Sequence, residues 1–288
     1  MLELPNPFAG EGGVIRLLEP AEARADELIR QIVADTYTKP YVIEADGARS
    51  MYFSRAHTQS DMRLGDPTAL EFLYTQMMMS VLLFVHQPTH ILMLGLGGGS
   101  LAKFCYRHLP TTHITAVEID ADVIAFRDQF MLPPDDSRLR VLHADGAHYL
   151  QQTKTKTDVV MIDAFDRDGF SKSVCTDVFY RDVRAALTPR GAMVANMVGP
   201  LKERAAHLDI IASVFDGNII ALPIAEEGNY LAFAFRDAHF EPRWRWITAQ
   251  AAAMKARFGL DFPQFADALK ACRREGYLQS SWLADAGA

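Results

Sequence analysis

From His90 onward the chain repeats one unit: a short apolar run, a turn, then a helix-like segment. "HILMLG" leads to "SLAKFCYRHL", "HITAVEI" to "ADVIAFRDQF", and "LRVLHA" to "GAHYLQQ". "DVVMIDA" leads through a polar loop to "DVFYRDVRAAL", and "GAMVANMV" to "LKERAAHLDIIASVF". Two further runs, "GNIIALPI" and the alternating "NYLAFAFR", bring the strand candidates to seven. Near-continuous apolar strands separated by helices must bury both faces, which dictates an α/β fold with a mostly parallel sheet covered on both sides. Just upstream, Asp66-Pro67-Thr68 predicts a helix start, with Pro near the first helical position and Glu71 in the first turn. That helix is expected to run through "TALEFLYTQMMMSVLLF" to about Phe84, its Met triplet in the core, with Pro88 beyond its end.

The first 65 residues follow a different pattern. "YVIEADGARSMYFS" alternates around Asp46-Gly47, a strong hairpin signal. "GGVIRLLE" reads as another strand and "AEARADELIRQIVAD" as a helix. After His239, "WRWITAQAAAMKARFG" and "FPQFADALKACRREG" read as two helices. The expected division is a small β-rich unit over 1–65, the main α/β unit over 66–240 and a helical extension over 241–288. Net charge is −7 with a pI near 5.7, which argues against a nucleic-acid binder and suits a cationic small substrate. Cys105, Cys175 and Cys272 are odd in number and widely spaced, so they read as reduced thiols. "MLELPNPFAGEGG" has neither the basic nor the apolar region of a leader peptide, so none is expected, and the run Met77–Val85 is too short to span a bilayer. The expectation is a cytoplasmic protein with no membrane contact.

The chemistry is concentrated where the strands end. Gly95, Gly97, Gly98 and Gly99 follow the first sheet strand directly. In a parallel sheet, ligands bind beyond the carboxyl ends of the strands, where a glycine-rich turn lets backbone approach closely and the next helix offers free N–H groups. A tight turn without a ligand is the alternative, but the neighbouring strands carry acids at the same rim. Glu118 and Asp120 end the second strand, with Glu118 some twenty residues past the glycines, where an acid accepts ribose hydroxyls. Asp145 and Gly146 end the third, and Asp163, Asp166 and Asp168 the fourth. The glycine turn reads G-x-G-x-x-S, an imperfect dinucleotide fingerprint. So many carboxylates disfavour a pyrophosphate and favour a cationic nucleoside, S-adenosylmethionine or its decarboxylated form. His143 and His148 flank Asp145, but one is placed on a strand and the other in a helix, a poor metal pair. Cys175 has no evident histidine partner for thiol chemistry.

"ILMLGLGGGSL", "AVEID", "HADGAHYL", "VVMIDAFD" and "ALTPRGAMVANM", in this order, together with "LEFLYTQM", resemble the spermidine synthase family of aminopropyltransferases. The resemblance spans about Val42 to Arg236. It implies a class I methyltransferase-like, Rossmann-like sheet of seven strands behind a small N-terminal β domain, usually in a homodimer. It further implies transfer of an aminopropyl group from decarboxylated S-adenosylmethionine to putrescine or a related amine, without a metal. Residue by residue, Gly95, Gly97, Gly98, Gly99 and Asp120 fall in the donor motif. Glu118 matches the acid that holds ribose, and Asp145 with Gly146 the pair at adenine. Asp163 matches the carboxylate that orients and deprotonates the amine, and Asp166 the second acid that binds it. Tyr74 and Gln59 match residues that position the amine. Family members typically read Gly-Gly-Gly-Asp-Gly, where the Asp holds the donor's ammonium; here Gly98 stands at that position. Leu70 and Gln76 also replace usual acids. An S-adenosylmethionine-dependent methyltransferase and a non-catalytic relative therefore remain open alternatives.

Overall fold

The computed structural model describes residues 1–8, 12–166, 169–170 and 174–275. Five antiparallel strands open the chain: β1 (Leu2–Pro5), β2 (Val14–Leu17), β3 (Tyr41–Ala45), β4 (Ala48–Ser54) and β5 (His57–Arg63), hydrogen-bonded in that order. The helix α1 (Ala25–Val33) lies between β2 and β3. The β3–β4 hairpin turns at Asp46 and Gly47, with φ of +51° and +77°. A turn with both central residues left-handed matches the strand twist, and Asp-Gly tolerates that geometry. β5 has no apolar alternation; it buries only Ser60 and Met62, and its pairing to β4 places it.

The second sheet has seven strands: β6 (His90–Leu94), β7 (His113–Glu118), β8 (Leu139–His143), β9 (Thr157–Ile162), β12 (Leu187–Met197), β13 (Ile219–Ile224) and β14 (Asn229–Phe235). Their spatial order is β13-β14-β12-β9-β6-β7-β8, and β14 alone runs opposite to the other six. The short hairpin β10 (Phe165–Asp166) with β11 (Gly169–Phe170) hangs off the end of β9. The central strands are buried on both faces, as the apolar runs require. Ile91, Met93, Val159 and Met161 face one core, and Leu92, Leu94, Val160 and Ile162 face the other. The first core is covered by α2 (Leu73–Met78), α3 (Ser100–His108), α8 (Trp244–Phe258) and α9 (Phe262–Glu275). The second is covered by α5 (Gly146–Gln152), α6 (Asp177–Ala186) and α7 (Leu201–Val214). The two C-terminal helices bury Ile247, Phe258, Phe262 and Phe265 in the same core as the sheet.

Two helices depart from expectation. Instead of beginning at Pro67, α2 starts at Leu73. Asp66 accepts from the Thr68 N–H and hydroxyl, closing a local turn that competes with helix. The first N–H groups of α2, at Leu73 and Tyr74, donate to the Glu227 carboxylate at 2.7 and 2.8 Å, an acceptor 154 residues away for Leu73. A 3-10 turn over Met79–Leu83 continues α2, and Met77, Met78 and Met79 are buried as anticipated. The helix α4 (Ala121–Ala125) is half its expected length. Its continuation bends so that Phe126 and Phe130 enter a small core with Val42, Met51 and Met62 of the N-terminal sheet. Lys103 reinforces that seam: its buried ammonium donates to the Phe130 carbonyl at 2.8 Å and touches Met62 Sδ.

Candidate active site

A cavity of about 1100 Å³ opens where β6, β7, β9 and β12 end. Gly95 closes β6 with φ +98°, and a Cβ there would lie 2.1 Å from the Asp163 carbonyl oxygen. Only glycine lets the two strand ends pass this closely. Gly95, Leu96 and Gly97 line the cavity. Gly98 and Gly99 instead face protein: a Cβ on Gly98 would meet Ser60 Oγ at 2.5 Å and the Phe130 ring at 2.6 Å, and one on Gly99 would meet Leu132. Half of the glycine signal is therefore a packing requirement against β5 and the segment after α4.

Glu118, 8% exposed, holds this turn. Its Oε2 accepts from the Leu96 N–H at 2.8 Å and its Oε1 from the Asp120 N–H at 2.9 Å. Burial pushes its carboxyl above the usual range, opposed by these N–H donors. Each oxygen keeps a further lone pair, so ribose hydroxyls still find acceptors. Ile119, 62% exposed, lines the cavity beside it and presents an apolar face suited to a base. Asp145 caps α5 by accepting from the His148 N–H at 2.8 Å, and both Asp145 and Gly146 line the cavity. Asp120 does not; its Oδ1 caps α4 at the Asp122 N–H.

Asp163 lies at the centre. Its Oδ1 accepts from Asn196 Nδ2 at 2.9 Å and its Oδ2 from the Tyr74 hydroxyl at 3.2 Å. Asn229 Nδ2 in turn donates to Asn196 Oδ1 at 2.8 Å. The residue after β9 and strands β12 and β14 thus each supply one member of a line of polar groups. Burial raises the Asp163 carboxyl, and the two donors pull it back. Burial, then the neighbouring Asp163 charge, raises the Tyr74 hydroxyl far enough to keep it protonated and donating. Gln59, on β5, also lines the cavity. The Asp166 backbone pairs with Gly169, but its side chain and all of Asp168 lie outside the described residues. Cys175 is at the cavity wall. The rings of His143 and His148 are turned to Ile119 O and Gln152, and among the described residues no group of three metal-ligating side chains occurs.

Sequence reasoning missed Asn196, Asn229, Glu227, Arg204 and His207, all of which line the cavity. Asn196 was detectable as the one polar residue in "AMVANMV". His207 bonds the Tyr180 hydroxyl at 2.6 Å, and burial pulls it down to about 4, so it stays neutral.

A family model for the spermine/spermidine synthase domain matches residues 71–216, just over half of the chain. The chain belongs to the spermine/spermidine synthase family. It is 35% identical over 230 residues to the polyamine aminopropyltransferase of Chromobacterium violaceum, covering 80% of this chain and 88% of that one. Its fold is shared with a probable spermidine synthase from Corynebacterium glutamicum, at a TM-score of 0.59 and 21% identity over 92% of this chain and 95% of that one. Human methyltransferase-like protein 13, solved with S-adenosylhomocysteine, has the same core fold at a TM-score of 0.56 and 24% identity, over 74% of this chain and 98% of that one.

Proposed function

We propose that this transferase moves the aminopropyl group of decarboxylated S-adenosylmethionine onto an amine at Asp163. Glu118 would take the ribose hydroxyls, Asp145 and Gly146 the adenine edge, and Gly95 and Gly97 the close backbone approach. Asp120 contributes by capping α4 behind the turn. The donor is a co-substrate, and no metal is needed. The observation that carries this reading is Asp163 itself: a carboxylate fixed by Tyr74 and Asn196, between the glycine turn and the β12–β14 wall.

The nucleophile must be a neutral amine, yet alkyl ammonium groups titrate near 10. Asp163 attracts the cation, accepts its proton directly or through one water, and aims the freed lone pair. A C–N bond forms at the carbon beside sulfur, the C–S bond breaks, and its electron pair returns to sulfur. The leaving thioether is neutral, so no oxyanion site is required. Tyr74 fixes the orientation of Asp163, and Gln59 and Asp166 contribute to amine binding. The homodimer, which rests on the resemblance, belongs to this proposal, as do the division at 65 and 240 and the cytoplasmic setting, which rest on the sequence pattern and the three widely spaced cysteines; among the described residues no helix is long and apolar enough to cross a membrane.

A second reading, methyl transfer from intact S-adenosylmethionine, is favoured by Gly98. The space a side chain would need there is filled by Ser60 and Phe130, so no carboxylate at this position meets a donor ammonium. Mass spectrometry of products, after incubation with each donor and a panel of amines, decides the matter. Gain of an aminopropyl unit supports the first reading, and gain of a methyl unit replaces it with the second.

A further inference from the structure

Arg204 is a charged cavity group for which the proposed reaction has no use. It lies in the first turn of α7, its Nη1 donates to the Gly228 carbonyl at 3.2 Å, and its guanidinium stacks 3.9 Å above the Tyr230 ring. Its Nε is buried without a hydrogen-bond partner. Buried donors left unpaired are rare and costly. Among the described residues it makes no ion pair, although Glu203 and Glu227 line the same cavity. Glu227 is occupied by the N–H groups of Leu73 and Tyr74. A stacked, always-charged guanidinium without a carboxylate is a preorganised anion receptor.

Strand order says which ligand it faces. Gly95 and Glu118 close β6 and β7 on one side of Asp163; Asn196 and Asn229 lie on β12 and β14 on the other. At about 4.8 Å per strand, Asn229 is roughly 10 Å from the β9 end, away from the nucleoside side. Arg204 is bound to Gly228, next to Asn229, on the acceptor side. A diamine would bring its second ammonium toward this guanidinium, whereas an amino acid would bring a carboxylate.

We propose that Arg204 receives a carboxylate of the acceptor, so that the preferred amine is an ω-amino acid or diamino acid rather than a simple diamine. This rests on the reading above, in which Asp163 separates donor from acceptor. The test is calorimetry on the full chain saturated with 5′-methylthioadenosine, using putrescine, 4-aminobutanoate and ornithine, the last being putrescine with a carboxylate added. Ornithine or 4-aminobutanoate is expected to bind at least about tenfold more tightly than putrescine. Arg204→Gln should erase that preference, Arg204→Lys should keep part of it, and neither should weaken putrescine. Equal or tighter binding of putrescine by the wild type, or equal losses for all three amines in both variants, overturns the proposal. So does a selective loss of S-adenosylmethionine relative to methylthioadenosine, which would move the carboxylate to the donor. If methylthioadenosine itself does not bind, the donor-site reading falls, and this inference with it. If it binds and the amines show no carboxylate preference, only this inference falls.

Discussion

Adding one methyl group at Gly98 tests how the donor turn is built. Gly98 has ordinary backbone angles, so Ala meets no conformational strain there; the cost is steric. Its Cβ would lie 2.5 Å from Ser60 Oγ and 2.6 and 2.9 Å from two carbons of the Phe130 ring. Ser60 can rotate, but Phe130 cannot easily yield. It is 0% exposed, packs on Met62 and Phe126, and its carbonyl is held by Lys103. Overpacking of this kind costs about 1–3 kcal/mol. Reduced freedom of the unfolded chain returns about 0.4–1 kcal/mol. The net loss is about 1.3 kcal/mol, or ~2 °C in Tm for a chain of this size. Gly65 has no atom within 4 Å of its Cβ position and ordinary angles, so Gly65→Ala is the control and should be neutral or slightly stabilising. Thermal and urea unfolding of both variants, with Phe130→Leu alone and combined with Gly98→Ala, read the effect. Phe130→Leu should relieve part of the Gly98→Ala penalty, a coupling of about 0.5 kcal/mol or more. If Gly98→Ala behaves like Gly65→Ala, the space beside Gly98 is open, an acid would fit there, and the steric argument about the donor's tail is wrong.

Three further perturbations bear on the site and its supports. Burial raises the Asp163 carboxyl and Asn196→Leu removes a donor that favours its ionised form, so the acidic limb of kcat/KM should move to higher pH in the variant; an unmoved limb in the pH–rate profile would contradict this. Glu227→Gln leaves one of the first α2 N–H groups without its carboxylate acceptor and should cost about 1 kcal/mol in urea unfolding; no loss would show that the helix start is held otherwise. Lys103 is pulled by burial from 10.5 down to about 8. Between those pH values the unfolded chain holds a proton that the folded chain has released, so stability should climb with pH, by roughly 3 kcal/mol at most. Lys103→Met should flatten that climb in unfolding measured from pH 7 to 10.5, and an unchanged slope would assign it to another group.

The sheet was legible because fully buried strands need unbroken apolar runs, and "HILMLG" or "DVVMIDA" admits little else. Glu118, Asp145 and Asp163 were legible for a related reason: strand ends project what they carry into one rim. What stayed hidden depends on partners distant in sequence. β5 owes its place to pairing with β4, and the start of α2 to Glu227 from the turn before β14. Gly98 is read as cofactor backbone from the sequence, yet its neighbours Ser60 and Phe130 come from two other segments. Asn196 and Asn229 acquire meaning only when β12 and β14 lie side by side, and Arg204 only when α7 brings it over Tyr230.

The role of Asp163 is tested most directly by measuring turnover and nucleoside affinity together in Asp163→Asn. Asparagine preserves shape and accepts the Tyr74 hydroxyl, but it cannot take a proton from the amine. Turnover should fall by about 10²-fold or more while the Kd for methylthioadenosine stays within about threefold of wild type. Near-normal turnover, or an equal loss of turnover and nucleoside binding, would show that this carboxylate is not the group that prepares the amine.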